Sequence, residues 1–265
     1  MSVLAILREQ VRSRHLIWTL AKSDFKTRYI GSYFGLVWEI LQPLSLIFIF
    51  WFIFDVILGT NTIEGIPFLP WFIVGLIPWF FFSDAWTNAT NAFIQYSYLV
   101  KKMVFQTSVI PSVKILSSLF TSMIFHVILV VVLLLSPGVS LQISGIAIVY
   151  FFICSYVLVT GLSFLTSSIL VFFKDMRQIL NIILQLGIYL TPILWSKSRV
   201  PADMRWVLQL NPMFYVVDGY RSSLIQGGFA LDLLSTVVFW AITLLLLVVG
   251  LVVYSRLRPH FADVL

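Results

Sequence analysis

Long apolar runs separated by short polar segments dominate the chain. Six runs reach the length of about 20 residues that a helix needs to cross a bilayer. They cover residues 34–57, 68–94, 109–135, 143–173, 178–195 and 231–254. Their apolar residues are continuous instead of alternating, which favours helices over the strands of a membrane barrel. We therefore expect an all-α integral membrane protein with six transmembrane helices.

The composition agrees with a membrane protein. Hydrophobic residues make up 60% of the 265 residues and charged residues only 11%, which excludes an ordinary water-soluble domain. The net charge of +6 reports which loops face the cytoplasm and does not indicate a nucleic-acid partner. The one cysteine, Cys154, lies inside an apolar run, so we expect a packed core residue and no internal disulfide.

Lys and Arg residues are concentrated in alternate connections. Six of them precede the first run, and pairs follow the second, fourth and sixth runs, whereas the loops 58–67 and 136–142 have none. Such a bias marks the cytoplasmic side of a membrane protein. We therefore expect both termini in the cytoplasm. The connection 196–230 departs from the pattern, because it places four cationic residues on the predicted outer side.

That connection has the composition of two short helices. Pro201 stands where a helix can begin, Asn211-Pro212 interrupts the segment, and a second apolar stretch follows. Each half is too short to span a bilayer. We predict re-entrant outer helices over 196–225, a geometry that requires protein or a water-filled cavity to cover the backbone. The alternative is an amphipathic hairpin lying on the outer surface.

Residues 1–30 have the pattern of an interface helix. Basic and polar residues recur every three or four positions from Arg8 to Lys26, beside an apolar stripe that includes Trp18. This pattern is typical of a helix in the inner headgroup layer, in contact with membrane lipids. Two roles remain open, which are surface anchoring and docking of a cytoplasmic partner.

Ionisable residues interrupt the apolar runs. A charge at the bilayer centre costs about 2.5 to 3.5 kcal/mol on insertion scales, so such residues are functional candidates by default. They are Glu39, Asp55, Asp84, Lys114 and His126. We expect a structural pairing of Glu39 with Lys114, since both enter the membrane from the same side.

The second run carries one polar helix face in its later part. Asp84, Asn88, Asn91 and Gln95 recur there every three or four residues. Lipid does not satisfy such a face, so it either packs against polar neighbours or lines a path.

Aromatic residues near the ends of the runs have two interpretations. These residues are Trp71, Trp79, Tyr189 and Trp195. They fit the ordinary belt of Trp and Tyr at membrane interfaces. They also fit a sugar path, because the C–H faces of sugars stack on aromatic rings.

The sequence lacks the motifs of common catalytic sites. It contains no GxxxxGK[ST] phosphate loop, no HExxH, no GxSxG, and no clustered Cys and His with metal-ligand spacing. We therefore expect a transport protein with no catalytic residues, no metal and no cofactor in this chain. Active transport would draw its energy from an ion gradient or from another subunit.

Motifs over nearly the whole chain occur in the order found in one family of membrane proteins. They are DFKTRY (24–29) followed by Ser32, Gly35, Trp38, Gln42 and Pro43, LIPWFFFSDAWTNATNAF (76–93), LVKK (99–102), FKDMRQI (173–179), YLTPIL (189–194) and LNPM (210–213). The chain resembles the six-span permeases of bacterial ATP-binding-cassette exporters of the type 2 class, which export O-antigen, capsule and wall teichoic acid. Two mild departures from the family pattern are Tyr33-Phe34 and Met213-Phe214.

The resemblance implies a homodimer bound by two copies of a separate nucleotide-binding ATPase subunit, which holds the ATP and Mg. The location would be the bacterial inner (plasma) membrane. The segment 96–107 would be a coupling helix on the ATPase, with contacts from Tyr98, Lys101, Lys102 and Phe105. The first and fifth spans of both copies would line the substrate path, with contacts from Tyr33, Phe34, Trp38, Glu39, Tyr189 and Trp195.

The expected activity is export of a lipid-linked polysaccharide, with wall teichoic acid slightly favoured over O-antigen or capsular polysaccharide. ATP hydrolysis on the partner would move the segment 96–107 and so open and close a lumen between the two copies. Three alternatives stay open. One is an exporter of the same class for a drug or lipid, and another is a membrane enzyme acting on a lipid-linked glycan. The third is an ion-coupled carrier with Glu39, Asp84 and His126 as a proton relay.

Overall fold

The computed structural model describes residues 3–28, 33–60, 62–101, 106–136, 145–226 and 232–265. These residues are mostly helical, which confirms the prediction of an all-α membrane protein. The helices are α1 Val3–Arg12, α2 Arg14–Arg28, α3 Leu36–Trp51 with a π-helical end at Phe52–Ile57, α4 Phe68–Thr90, α5 Ala92–Gln95, α6 Ser97–Val100, α7 Val109–Leu135, α8 Gly145–Phe172, α9 Met176–Leu190, α10 Trp206–Gln209, α11 Pro212–Leu224, α12 Leu233–Leu257 and α13 Phe261–Val264. Short 3-10 turns lie at Lys197–Arg199, Ala202–Met204 and Arg258–His260.

Within the described ranges, five helices are long and apolar enough to cross a membrane. They are Val37–Ile57, Phe68–Thr90, Val109–Leu135, Ile146–Phe172 and Leu233–Val264. The apolar helix α9 has 15 residues and ends earlier than the predicted run 178–195. It ends because Pro192 has no backbone N–H and disfavours a helical conformation at the preceding residue. Thr191 is accordingly extended, with ψ at 134°.

A small hairpin between α3 and α4 departs from the expectation of helices alone. Thr62–Ile63 (β1) and Ile66–Pro67 (β2) pair antiparallel. Glu64 and Gly65 join them with φ values of 54° and 79°. Two positive φ values are the geometry of a tight hairpin turn, which glycine adopts without strain.

The core surrounds α4, most of whose residues are buried. This helix packs against α7, α8 and α11. Beside it, α8 and α12 approach each other backbone to backbone, because a Cβ on Gly161 would lie 2.7 Å from the backbone nitrogen of Leu247. Small residues permit such close helix contacts in membranes. Cys154 is buried in the core and free, as predicted.

The N-terminal segment forms two helices that pack on the ends of the membrane helices. The break between α1 and α2 falls at Ser13. Ala21 of α2 lies in a buried cluster with Val109 of α7, and Ile6 of α1 lies in another with Tyr254 of α12. The apolar stripe that the sequence predicted for lipid contact is a different one, and Leu4, Val11 and Trp18 of that stripe stay exposed.

Candidate functional site

Helices α3 and α9 differ from the other apolar helices because little of their surface is covered. Only 6% of the apolar stretch within Val37–Ile57 is buried. In α9, Leu180 is the one buried residue. An uncovered helix face of this size contacts lipid, water or another molecule, and its polarity separates a lipid-facing surface from the others.

The exposed surface of α9 is divided lengthwise into a polar and an apolar stripe. The polar stripe consists of Gln178, Asn181, Gln185 and Tyr189, and the apolar stripe of Ile179, Ile183, Leu186 and Leu190. Both follow the spacing of three or four residues that places side chains on one helix face, and all eight residues are exposed. Side-chain amides are costly to place against hydrocarbon, so the polar stripe must face water, a substrate or protein.

The sequence interpretation nominated Tyr189 from this stripe and missed the three amides. The spacing that revealed the polar face of the second run was present in α9 as well. The run 178–195 was predicted as a membrane span, and the amides within it were given no role.

Helix α3 presents a second stripe of this kind. Trp38, Gln42 and Ser45 lie on one face at spacings of four and three, and all are exposed. Ahead of the helix, Tyr33 and Phe34 are also exposed, and the Phe34 ring packs edge to face on Trp38 with centroids 5.6 Å apart. Exposed aromatic rings beside an amide and a hydroxyl are groups that bind sugars by stacking and hydrogen bonding.

Another predicted path residue, Trp195, lies just beyond α9. Its indole N–H donates a hydrogen bond of 2.9 Å to the backbone oxygen of Tyr189. The nominated residues are thus grouped on α3 and α9 and just outside the ends of these helices, and their role in a path stays a prediction.

A polar cavity of about 340 Å³ separates α3 from α4 and α7. Eight of its lining residues are polar, namely Glu39 and Gln42 of α3, Ser83, Asp84 and Thr87 of α4, and Ser118, Thr121 and Ser122 of α7. Phe80, Phe81 and Phe125 line it as well. Hydroxyls, an amide and two carboxylates make the cavity suited to water or a polar ligand.

The polar face of α4 has both of the roles that the sequence left open. Asp84 and Thr87 line the cavity. Asn88 instead packs against polar neighbours, with its amide donating to Asp84 at 2.6 Å and to Ser118 at 3.2 Å. Further along, the Asn91 side chain accepts a hydrogen bond of 2.8 Å from Arg177.

The predicted pairing of Glu39 with Lys114 is wrong. The Lys114 ammonium lies 2.5 Å from Oδ1 of Asp24 in α2. The sequence placed α2 in the headgroup layer, but α2 packs on α7 and brings its buried carboxylate to the level of Lys114. Glu39 lines the cavity instead.

Two tryptophans that fitted an interfacial belt are buried in protein. Trp71 lies under Arg221, whose guanidinium carbon is 3.5 Å from the ring centroid. Trp79 packs on α9 at Gly187, where an added Cβ would lie 2.6 Å from the indole. Both sit on α4, the most buried helix, so neither contacts the membrane interface.

Arg221, one of the four cationic residues in the 196–230 connection, is 4% exposed. Its guanidinium donates to the backbone oxygens of Pro192 and Ile193, the latter at 3.0 Å. These carbonyls follow the end of α9 and have no helical partner of their own. Arg221 therefore closes the end of α9 and does not lie in an open loop.

The segment 196–225 folds into short turns, α10 and α11. α11 packs on α4 and α8, and Asn211 caps it by accepting from the Met213 backbone N–H at 3.0 Å. Lys197 pairs with Asp218 of α11 at 2.8 Å. His126 of α7 also reaches α11, with Nε2 at 3.0 Å from the Tyr220 hydroxyl.

The predicted coupling segment is described in part. Tyr96 follows α5, α6 forms one turn, and Lys101 ends the described range. Tyr98 and Lys101 are exposed, while Lys102 and Phe105 lie outside the described residues. The docking role of these four residues stays a prediction.

Comparison with known proteins identifies the class. Residues 15–225 match the family model of the ABC-2 type transporter, and the chain belongs to this family of multi-pass membrane proteins. It is 29% identical over 252 residues to the O-antigen export system permease protein RfbA of Klebsiella pneumoniae, covering 94% of this chain and 95% of that protein. The RfbA permease of Myxococcus xanthus is 27% identical over 252 residues, covering 90% and 94%. The polysialic acid transport protein KpsM of Escherichia coli is 24% identical over 237 residues, covering 87% and 89%.

Proposed function

We propose that the chain is the permease subunit of an ATP-driven exporter that moves a lipid-linked polysaccharide of the O-antigen or capsular kind. The similarity to O-antigen export permeases over nine-tenths of the chain, and to a polysialic acid transport protein over 87% of it, supports this substrate class. It favours the alternative that the sequence left open over the preferred wall teichoic acid, since none of these relatives carries that name.

The observation that carries the proposal is the exposed polar stripe of α9. Gln178, Asn181 and Gln185 form it on a helix whose adjacent stripe is apolar and equally exposed. Lipid suits the apolar stripe, whereas the amides require an aqueous or protein-covered space. A second copy of the chain facing this stripe would enclose such a space, and in this homodimer the α9 stripes of both copies line it.

The chemistry of the two stripes suits a glycan. Amide groups on α9 donate to and accept from sugar hydroxyls. The rings of Trp38 and Tyr189 offer flat surfaces for the C–H faces of sugars. These contacts are weak and repeated, which lets a long polymer move without being trapped at one site.

The energy comes from a partner. The sequence has no phosphate loop, so two copies of a separate ATPase subunit supply ATP and Mg binding. This subunit docks at the segment 96–107 and the helices α1 and α2, with both termini in the cytoplasm of a bacterial cell. The carbohydrate path then runs outward between the two copies.

Reconstituted vesicles provide the test. The chain, its ATPase and a lipid-linked glycan are combined, and the glycan appearing on the far side is measured with and without ATP. Gln185→Leu interrupts the polar stripe with an apolar residue. It should lower export about thirtyfold, since it removes a hydrogen bond worth roughly 1 kcal/mol in each of the two copies. Leu186→Met, on the apolar stripe, is the matched control and should leave export unchanged. Equal export by Gln185→Leu and the unaltered protein would overturn the proposed path.

A further inference from the structure

A cluster of buried charges joins α2, α7 and the start of the segment 96–107. Asp24 of α2 is 7% exposed. Its Oδ1 accepts hydrogen bonds from the Lys114 ammonium at 2.5 Å and from the Tyr96 hydroxyl at 2.8 Å. The Lys114 ammonium also lies 5.0 Å from the centre of the Tyr96 ring. One carboxylate oxygen therefore connects three parts of the chain.

The cluster continues one turn further along α2. Arg28 lies 3.6 Å from Oδ2 of Asp24 and 3.5 Å from Oδ2 of Asp84. It also donates to the Ser118 hydroxyl at 3.4 Å. Asp84 and Ser118 both line the polar cavity beside α3. A series of charged and polar contacts thus runs from Tyr96 to the cavity wall.

The protonation states of Asp24 and Tyr96 follow from their surroundings. Burial by itself would raise the pKa of Asp24, but the hydrogen bond and charge of Lys114, together with hydrogen bonds from Ser117 and Tyr96, outweigh it and hold that pKa below its usual range. The carboxylate is therefore ionised. Burial and the neighbouring Asp24 charge raise the pKa of Tyr96, so its hydroxyl stays a hydrogen-bond donor.

Stability alone does not account for such a cluster. Apolar residues of similar volume in place of a buried ion pair are often neutral or stabilising. Apolar contacts are also non-directional, and they would let Tyr96 shift against α2. Hydrogen bonds to Asp24 instead fix the position of the segment that begins at Tyr96.

We propose that Asp24 is a positioning residue for transport. Asp24 holds the segment that begins at Tyr96 against α2 and α7. Through Arg28, movement of that segment also moves Asp84 at the cavity beside α3. This inference rests on the proposed function, since it takes 96–107 as the place where the ATPase acts. The three elements then move as one body when the ATPase pushes, and the cavity wall moves with them.

The first test removes a single hydroxyl. Tyr96→Phe should lower export per ATP hydrolysed about tenfold, because the lost hydrogen bond is to a charged group. Tyr215→Phe is the matched control, since its hydroxyl bonds to Thr236 and Tyr150 at 3.0 Å each, away from the cluster. Normal export per ATP in Tyr96→Phe would overturn the inference.

The second test separates positioning from stability. Asp24→Leu combined with Lys114→Met replaces the ion pair by apolar side chains and should melt at or above the temperature of the unaltered protein. Export per ATP should still be low. Full export in this double variant would show that the cluster only anchors the helices and would overturn the inference.

A third measurement does not depend on transport. Amide hydrogen exchange over residues 92–100 of the purified chain reports how firmly Tyr96 holds this segment. Tyr96→Phe should accelerate it about tenfold, and Tyr215→Phe should not. Unchanged exchange in Tyr96→Phe would overturn the inference. Failure of the unaltered complex to export a glycan would instead count against the proposed function alone, and the exchange result would still decide the inference.

Discussion

Arg221 offers a prediction whose size follows from its contacts. Arg221→Met removes a guanidinium that donates to the oxygens of Pro192 and Ile193 and stacks on Trp71. Each hydrogen bond from a charged group contributes about 1.5 to 3 kcal/mol, and the stacking about 2 kcal/mol more when desolvated. These losses are partly offset, because the methionine variant no longer has the cost of burying a charge, which is several kcal/mol. We expect a net loss of about 3 kcal/mol.

The assay is equilibrium unfolding of the purified protein in detergent, followed by tryptophan fluorescence. Lys197→Met is the control, because its ion pair with Asp218 is partly exposed and exposed pairs contribute about 1 kcal/mol or less. Arg221→Lys keeps the charge but loses the forked geometry, so it should recover less than half of the stability. If Arg221→Met unfolds at the same denaturant level as Lys197→Met, the assignment of Arg221 to the end of α9 is refuted.

Three further predictions concern packing, pH and reactivity. Gly250→Leu should destabilise the protein by about 3 kcal/mol, because an added Cβ would meet the backbone oxygen of Gly161; thermal unfolding measures it. The pKa of Asp24 is lowered on folding, so the ionised carboxylate stabilises the folded protein above its unfolded pKa of about 3.9, and this contribution is lost as the pH falls through the folded value. In Asp24→Asn, the stability of the protein should therefore depend less on pH in this acidic range. Cys154, buried in the core, should react with maleimide only after denaturation.

Hydrophobic runs predicted the helices well, because membrane helices are selected by length and apolar content. The run 109–135 folds into α7, Val109–Leu135. The end of α9 was harder to place, since Thr191 is as compatible with a span as its neighbours. The constraint comes from Pro192 and from carbonyls that Arg221 can reach. That arginine lies far along the chain, and its partner could not be found by spacing.

The sequence did not show which helices are neighbours in the fold. Periodicity shows which residues share a helix face, and so it found the polar face of α4. It does not show what lies opposite, and Lys114 was therefore paired with Glu39 instead of Asp24. Asn181 and Gln185 were missed for another reason. Their spacing was visible, but only exposure on an otherwise apolar membrane helix makes two amides informative.

The central claim is that two copies of the chain enclose a polar path along α9. Cysteine accessibility in membranes tests it most directly, with Gln185→Cys and Leu186→Cys each introduced into a Cys154→Ala background. The account predicts that a membrane-impermeant thiol reagent labels Gln185→Cys and blocks export, that a bifunctional maleimide joins two copies there, and that Leu186→Cys stays unlabelled. Equal labelling of the two cysteine variants, or the absence of a cross-linked dimer at position 185, would contradict the claim.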